Sequence, residues 1–486
     1  MRLSSSDATA AADPLDVAII GGGAAGLLAA IHLLRASEGR IRLCVVEPRA
    51  LLGEGAAYST RDPAHLLNVP AGGMSAFGDD PDHFVRHLQA SGATPAIDGD
   101  AVARRYVPRL EYGNYLRATL GGQVALGSVH VRDAAVDVTG SAPHSIRLGS
   151  GRILHADAVV MATGNLPRSL AATRSCTNAA AIINAWDYEA IATIPADADV
   201  CIIGAGLSMA DAAVSLAGQR HRGRITVLSR HGLMPLAHAA SRGPAADVDG
   251  LLALGVRERM RAIRASAKSG MGDGAPWQWT MDGLRPHGQR FWRSLDDDEQ
   301  RRFLRHVQRY WDIHRHRIAP EVAIGIDALR QSRQLTVHAG RVAAIDSGPT
   351  GFDVAWRPRG IATTKHMRVQ RVIACAGIET RLQYMPSPLL AALAARGTIT
   401  PDPHELGLAV DDAGALVSAA GIPQPRLLAI GSARIGHDWE ATAIPELRAQ
   451  AAAITERLIG AAAGPPGVTA TRRKTPSSGP RWQPHQ

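Results

Sequence analysis

Thiols are scarce in this 486-residue chain: Cys44, Cys176, Cys201 and Cys375 are the only four. They stand far apart, with no C-x-x-C or C-x-x-x-x-C pair, so neither a redox-active disulfide nor a zinc knuckle is on offer. No set of ligands stands at metal-binding helix spacing, and no metal is expected. Lysine is rarer still, three residues against fifty arginines, and aromatics make up 4%. No run is apolar for long enough to cross a bilayer, and the opening MRLSSSDATAAADPLD has no apolar core of signal-peptide length. The expectation is a cytoplasmic protein without a membrane partner. A net charge of +9 raises the question of nucleic acid. No recognition motif accompanies the arginines, so nucleic acid is not an expected partner. The charge is also concentrated: residues 252–317 hold fourteen basic against eight acidic residues, and the tail after Ala463 holds four basic and no acidic ones. A solvated basic face, or a pocket for a small anion, fits that pattern better.

What is present begins at Asp16–Gly26, DVAIIGGGAAG. A short β-branched run breaks into glycines and restarts as the helical LLAAIHLLR, which reads as strand, tight turn and helix. Gly21 lets the chain turn, Gly23 lets backbone approach a pyrophosphate, and Gly26 lets helix pack on strand. A second strand, Ile41–Val46, ends in Glu47, whose carboxylate suits a ribose with free hydroxyls, as in FAD. The plan then repeats. VCIIGAGLSMAD carries Gly204 and Gly206, with Met209 where a third glycine would stand. The second strand of this repeat ends in Ser229-Arg230-His231. A hydroxyl, a guanidinium and an imidazole suit a 2′-phosphate, so NADPH is expected here, with NADH the alternative. The expected fold is α/β: two dinucleotide-binding, Rossmann-like domains of βαβ plus β-meander, the NADP(H) domain inserted in the FAD domain. The FAD domain is expected over 16–170 and 381–462, and the NADP(H) domain over 171–380 with a helical insertion at 232–320. Disordered ends are expected at 1–15 and 463–486.

Between these landmarks lie the candidate site residues. After Glu47 runs a long Gly-, Pro- and Ala-rich loop, and such loops are usually functional. Gly53 and Gly55 would let its backbone run close to a flavin. Asn68 is the polar group expected to face the ring, whereas His65 reads better as a turn residue bonding its own backbone. Val129–Val138 and Ser145–Leu154 alternate as a small meander, and a strand over Asp157–Ala162 closes on Gly164 beside the cofactor. Leu335–Trp356 reads as a second meander and Arg371–Gly377 as a second closing strand. The insertion collects Trp277, Trp279, Phe291, Trp292, Phe303, Tyr310 and Trp311 and ends in WDIHRHRIAP. Core packing with a wet basic face, or a pocket wall for an anionic substrate, would each explain it. A last strand, Arg426–Gly431, precedes a loop and a long amphipathic helix whose N-terminus would face the flavin. Gly431 and Thr442 are cofactor candidates there. Ser432 stands where an aspartate often holds the ribityl chain, and Glu440 is a candidate acid or base.

GGGAAG, LLGEGAAYSTRDPAHLLNVPAGGMSAF, YVPRLEYGNYL, VLSRHGLMP, WDIHRHRIAP and WEATAIPELRAQ together resemble the FAD/NAD(P)-binding family that includes a bacterial FAD-dependent urate hydroxylase and the aspartate N-monooxygenases. The resemblance runs from about Asp16 to Gly460. It implies FAD, NAD(P)H and dioxygen: hydride passes to the flavin, the reduced flavin forms a C4a-hydroperoxide, and one oxygen reaches an electron-rich substrate atom. Urate, hydroxylated to 5-hydroxyisourate, is the substrate expected first, since it is an anion suited to a basic pocket. An amino acid or amine hydroxylated on nitrogen is the alternative. A flavin reductase without oxygen insertion and a non-catalytic NADPH sensor are the others, and a homo-oligomer is compatible with each. Asn68 and Glu440 are the catalytic candidates. The F-x-G-x-x-x-H pattern of ketone-oxidising flavoenzymes is absent.

Overall fold

The computed structural model describes residues 14–94, 98–122, 128–170 and 181–463. Cys176, most of the N-terminal segment and nearly all of the basic tail lie outside these. LDVAII forms a strand because its side chains have two apolar faces to fill: Leu15–Ile20 (β1) is buried almost throughout. It pairs in parallel with Ile41–Val46 (β2), and β2 with Ser128–Val131 (β3). Ala135–Thr139 (β4), His144–Leu148 (β5) and Ile153–Ala156 (β6) form a separate three-stranded antiparallel sheet. Ala158–Met161 (β7) then returns beside β1. The expected strand over Val129–Val138 is therefore two strands. Asp133 turns the chain, its carboxylate accepting from the Ala134 N–H at 2.7 Å, and only the second half enters the meander.

The second sheet repeats the plan. Ile183–Asn184 (β8), Val200–Ile203 (β9) and Ile225–Ser229 (β10) are followed by Leu335–Gly348 (β11), Gly351–Pro358 (β12), Lys365–Val369 (β13) and Arg371–Ala374 (β14). Their spatial order is β13-β12-β11-β10-β9-β14-β8. The long β11 pairs in parallel with β10 at its start and antiparallel with β12 beyond, so one strand serves both the Rossmann sheet and its meander. Ala415–Val417 (β15) and Pro423–Ala429 (β16) then rejoin the first sheet, β16 lying parallel to β7, in the order β15-β16-β7-β1-β2-β3. Sequence from beyond the second fold thus completes the first.

The first core is closed by three helices, Ala24–Ser37, Arg109–Gly121 and Ile444–Ala463, whose apolar faces meet over β1 and β7. Helices from Asp249–Leu252 to Gln308–Arg315, the longest being Val256–Gly272, form the insertion, with an apolar core of its own around Phe291, Trp292, Phe303 and Trp311.

The two folds are pinned together. Arg109 Nη1 and Nη2 donate to the Asp211 carboxylate at 2.7 and 2.9 Å, joining the start of one helix to the middle of Leu207–Gly218. His65 is 1% exposed; its ring lies 2.6 Å from Thr60 Oγ1, 2.8 Å from Ser215 Oγ and 3.1 Å from the Asp211 carbonyl. The expected bonding of a turn residue to its own backbone is not what is found: the ring's partners are the Thr60 and Ser215 hydroxyls and the Asp211 carbonyl, the last two on a helix of the other fold.

Candidate active site

Three glycines of the first loop have three different surroundings. Gly21 has φ +110°, and a Cβ there would overlap the Ala162 carbonyl at the end of β7. A Cβ on Gly26 would overlap the Gly21 carbonyl. Both are required by the protein itself. A Cβ on Gly23, by contrast, would find only Gly55, its Cα at 3.5 Å. Gly55, at φ +52°, faces Gly23 from the long loop. Two side-chain-free stretches therefore oppose each other at the start of Ala24–Ser37, whose first N–H groups have no intrahelical partners. That is a cradle for a phosphate-bearing ligand. Gly53, also at positive φ, donates its N–H to the Gly22 carbonyl at 2.7 Å and fixes the opposing stretch of chain.

Glu47 stands beside this cradle. Its carboxylate accepts from the Gly22 N–H at 2.8 Å and the Arg49 N–H at 3.0 Å. A carboxylate has about four acceptor directions, so two remain for a diol. Gly164 is exposed, has φ +68°, and has open space where a Cβ would stand. Ser432 Oγ donates to its carbonyl at 2.8 Å. Ser432 thus ties β16's end to the Gly164 turn. Gly431, at φ +85°, donates its N–H to Gln450 Oε1. Thr442 is exposed just ahead of Ile444–Ala463.

The second loop copies the first. Gly204 also has φ +110°, and a Cβ there would overlap the Cys375 carbonyl after β14, as Gly21 would meet Ala162. Gly206 caps Leu207–Gly218 in extended backbone with open space around it. Met209, in place of a third glycine, is fully buried in the second core. Ser229 Oγ accepts from the Gly232 N–H at 3.0 Å, and Arg230 is exposed beside it. His231 lies 3.5 Å from Arg359, and burial together with Arg359, Arg230, Arg309 and Arg341 holds its imidazole below its ordinary pKa. These residues gather positive charge at the end of β10, where a 2′-phosphate would lie. Sequence reasoning missed Arg359 and Arg341, which arrive from the β11–β12 meander more than a hundred residues later.

Asn68 is half-buried. Its backbone carbonyl accepts from His238 Nε2 at 2.8 Å, while its side-chain amide has no partner among the described residues. Glu440 differs from the expectation placed on it. It is 9% exposed, accepts from Trp311 Nε1 at 3.2 Å and is paired with Arg315. Its carboxylate ties the insertion to the segment before the last helix, so we reassign it from acid or base to structural tie. Arg315 and Arg317, at the end of the basic run, are not part of a wet face, being 8% and 4% exposed with Arg317 paired with Asp282, whereas Arg257, Arg261, Arg264, Lys268 and Arg301 earlier in the insertion are exposed. Phe291, Trp292, Phe303 and Trp311 are core, with Trp277 packed against them, whereas Trp279 is half-buried outside that core and Tyr310 is exposed.

The segment ahead of the last helix is also strained. Trp439 has φ +59° and ψ −67°, with the Glu440 N–H on the Asp438 carbonyl at 2.7 Å, which is a γ-turn of the rare positive-φ kind. Trp439 stacks on Trp292 at 4.9 Å and meets Phe303 edge-on at 5.1 Å. Trp292 Nε1 donates to the Gly436 carbonyl, and Gln289 to Asp438.

Fold and site together define the class: two dinucleotide-binding folds, each with a side-chain-free phosphate cradle. Residues 18–166 match the FAD-NAD(P)-binding family model. No curated protein sequence matches the chain. Among solved structures, the chain is similar to the ornithine hydroxylase of Pseudomonas aeruginosa, with 17% identity over 92% of this chain and 99% of that one and a TM-score of 0.62. It is also similar to the FAD-bound cadaverine monooxygenase of Erwinia amylovora (11% identity, 96% and 99% covered, TM-score 0.64). The ornithine N-hydroxylase of Kutzneria sp. 744, solved with reduced FAD, NADP+ and L-ornithine, covers 93% and 100% at 15% identity and TM-score 0.61. At such identities the likeness is one of fold.

Proposed function

We propose that this protein is an FAD- and NADPH-dependent monooxygenase that hydroxylates the nitrogen of a small amine. The observation that carries the cofactor part is the opposed Gly23 and Gly55, a cradle that a single Cβ would fill. Gly21, Gly23, Gly26, Glu47, Gly55, Asn68, Gly164, Gly431 and Thr442 would hold FAD; Gly204, Gly206, Ser229 and Arg230 would hold NADPH. Bound there, the flavin supplies hydride acceptance and activation of dioxygen for transfer of one oxygen atom.

The chain's own part is positioning and the exclusion of water. Arg109–Asp211 and His65–Ser215 fix the two cradles relative to each other. Asn68 offers a neutral amide that orients oxygen or substrate without supplying a proton. A disulfide relay has no support from the described thiols. Cys44, Cys201 and Cys375 are buried in or at the ends of strands, and burial pushes the first two up to about 12 and raises the third as well. What favours an amine over urate is the shared architecture with three amine hydroxylases over 92–96% of this chain.

The test is NADPH oxidation by the FAD-loaded protein with L-ornithine, L-lysine, cadaverine, L-aspartate, urate or no addition. Product and hydrogen peroxide are assayed in parallel. A hydroxylamine formed with each NADPH supports the reading. 5-Hydroxyisourate from urate returns the substrate to a purine, and peroxide alone with every addition makes the protein a reductase. In Asn68→Ala the NADPH consumed per product should rise, with peroxide making up the difference.

A further inference from the structure

The long loop is anchored on both sides of Asn68. The Leu67 N–H donates to the Val107 carbonyl at 2.9 Å, and Arg109 Nε donates to the Leu66 carbonyl at 3.1 Å. Beyond Asn68, the Ala71 N–H donates to the Arg105 carbonyl at 2.9 Å. Between these anchors the main-chain N–H and C=O groups of Asn68 and Val69 make one hydrogen bond among the described residues, and its donor belongs to the other fold. His238 Nε2 lies 2.8 Å from the Asn68 carbonyl oxygen. A carbonyl only accepts, so the imidazole carries its hydrogen on Nε2.

His238 is itself firmly placed in the second fold. Ala237 bridges in parallel to Ile318, with the His238 N–H on the Ile318 carbonyl at 3.1 Å and the Ile318 N–H on the Leu236 carbonyl at 3.0 Å. A few residues earlier the Leu233 carbonyl accepts from Arg309, which also donates to the Ala205 carbonyl, inside the second glycine loop, at 3.0 Å. The stretch from Leu233 to His238 thus shares a support with the second cradle. The half-buried imidazole meanwhile packs on Tyr106 of the first fold, with ring centroids 5.4 Å apart. Its backbone is held by one fold, and its ring is seated on the other.

We propose that His238 is a positioning residue: its Nε2–H holds the Asn68 peptide group, and through it the Asn68 side chain, in the orientation that oxygen transfer needs. This rests on the reading of the protein as an amine N-hydroxylase with Asn68 beside the flavin. The reason is geometric. A side chain leaves the backbone at Cα, so turning the adjoining peptide plane re-aims the amide. The amide has no partner of its own among the described residues, so the His238 bond is what fixes its direction. Because the donor belongs to the second fold, the group facing the flavin takes its bearing from the fold that carries the nicotinamide.

The charged groups around His238 suit that task. Burial, then Arg317 and Arg242, hold its imidazole down to about 4, while the bond to Asn68 and the Asp282 carboxylate act the other way. Arg317 is paired with Asp282. The ring is therefore neutral near pH 7, with one N–H, and that hydrogen is committed to the Asn68 carbonyl. It fixes the loop without bringing a mobile proton to it.

The experiment compares FAD-loaded wild type with His238→Gln, His238→Glu, His238→Phe, Asn68→Ala and the double variant Asn68→Ala/His238→Glu. Glutamine and glutamate have nearly the same shape, but beside Arg317 and Arg242 the glutamate is ionised and only the glutamine can donate. Phenylalanine keeps a ring against Tyr106 and loses the donor. The readouts are hydroxylamine formed per hydrogen peroxide with L-ornithine, L-lysine, cadaverine and L-aspartate, and the visible circular dichroism of the bound flavin. In His238→Glu and His238→Phe the product-to-peroxide ratio should fall about two- to tenfold, the worth of one neutral hydrogen bond. KM for NADPH should stay as in wild type, which a loss of docking between the folds would not allow. His238→Gln should keep the wild-type ratio. The double variant should be no worse than Asn68→Ala, because both changes then remove the same function. The flavin dichroism should change alike in Asn68→Ala, His238→Glu and His238→Phe and stay as in wild type in His238→Gln. Equal ratios for His238→Gln and His238→Glu, or losses that add in the double variant, overturn the assignment while leaving the amine reading intact. No product from any of the four amines with wild type overturns the amine reading. The dichroism then decides the role of His238 by itself, and a flavin signal unchanged in His238→Glu overturns it.

Discussion

Gly23→Ala separates cofactor binding from folding more cleanly than any other change in the first loop. The added Cβ would meet Gly55 alone, its Cα at 3.5 Å, which is ordinary van der Waals contact. Gly23 is in extended backbone at φ −74°, so alanine brings no backbone strain. The fold should therefore lose little, within about 0.5 kcal/mol, as for a surface substitution. The methyl nevertheless occupies the gap in which a pyrophosphate would be gripped by the N–H groups opening Ala24–Ser37. Forcing the phosphates away from even one or two charge-assisted hydrogen bonds costs about 1.5–3 kcal/mol each, or roughly ten- to a hundredfold in affinity per bond. Gly23→Val should abolish binding. Gly21→Ala and Gly26→Ala should behave differently, since each would drive a Cβ into a backbone carbonyl and destabilise the fold whether or not FAD is present. The assay is flavin absorbance per protein after purification and dialysis, FAD titration of the stripped protein, and thermal unfolding of that stripped form. A yellow Gly23→Val protein with stoichiometric FAD would refute the placement. So would a stripped Gly23→Ala that melts many degrees below stripped wild type, because the loop would then be a folding feature only.

Three further outcomes follow from other parts of the molecule. Arg230→Ala should raise KM for NADPH about ten- to a hundredfold, one lost charge-assisted contact, and leave NADH nearly unchanged; equal use of both nicotinamides by the unaltered protein would refute the 2′-phosphate site. Arg109→Met leaves the 8%-exposed Asp211 without its bidentate partner and should cost about 3–5 kcal/mol in chemical denaturation, most of it recovered by adding Asp211→Leu. Acid should weaken the fold through His238 and His316, held down to about 4 and about 3 by burial and neighbouring arginines. Each stays neutral in the folded protein while the unfolded chain gains a proton below about 6.5, so stability is full above that pH and falls towards 3. Asp312 works in the opposite sense, losing stability as pH rises from the ordinary carboxylate value of 3.8 to about 7. Melting curves of wild type, His316→Gln and Asp312→Asn between pH 4 and 8 separate the two.

Local sequence was enough wherever a residue's role is set within one turn or one strand. Gly21 and Gly204 are needed by the same φ of +110° and the same close carbonyl, and the repeat was visible as GGGAAG against GAGLSM. Glu47 was placed by the end of its strand. The insertion was harder because its partners are remote: Trp311 and Glu440, 129 positions apart, meet only after the chain has left the second fold and rejoined the first. Nothing near Glu440 announces Arg315, so a carboxylate before a helix stood as a candidate acid or base.

The strained turn at Trp439 explains why an insertion in the second fold belongs to the first fold's site. A positive-φ γ-turn at a bulky residue costs on the order of 1–3 kcal/mol. Stacking on Trp292 and the edge contact with Phe303 each return about 0.5–1.5 kcal/mol, which offsets it. Both partners come from the insertion. Without them the chain from Asp438 to Ala443 would relax, and with it the approach to the N-terminus of Ile444–Ala463. The same aromatic core carries Gln308–Arg315, whose Arg309 reaches the second glycine loop. One small core therefore sets the entry to the last helix of the first fold and the edge of the second cradle together. Hydride transfer between two separately bound dinucleotides needs that common reference, because a displacement of about 1 Å can cost a hundredfold in rate. On this argument the insertion's aromatics act by holding both cradles in register, which is why they can be buried away from any substrate and still be indispensable to the chemistry.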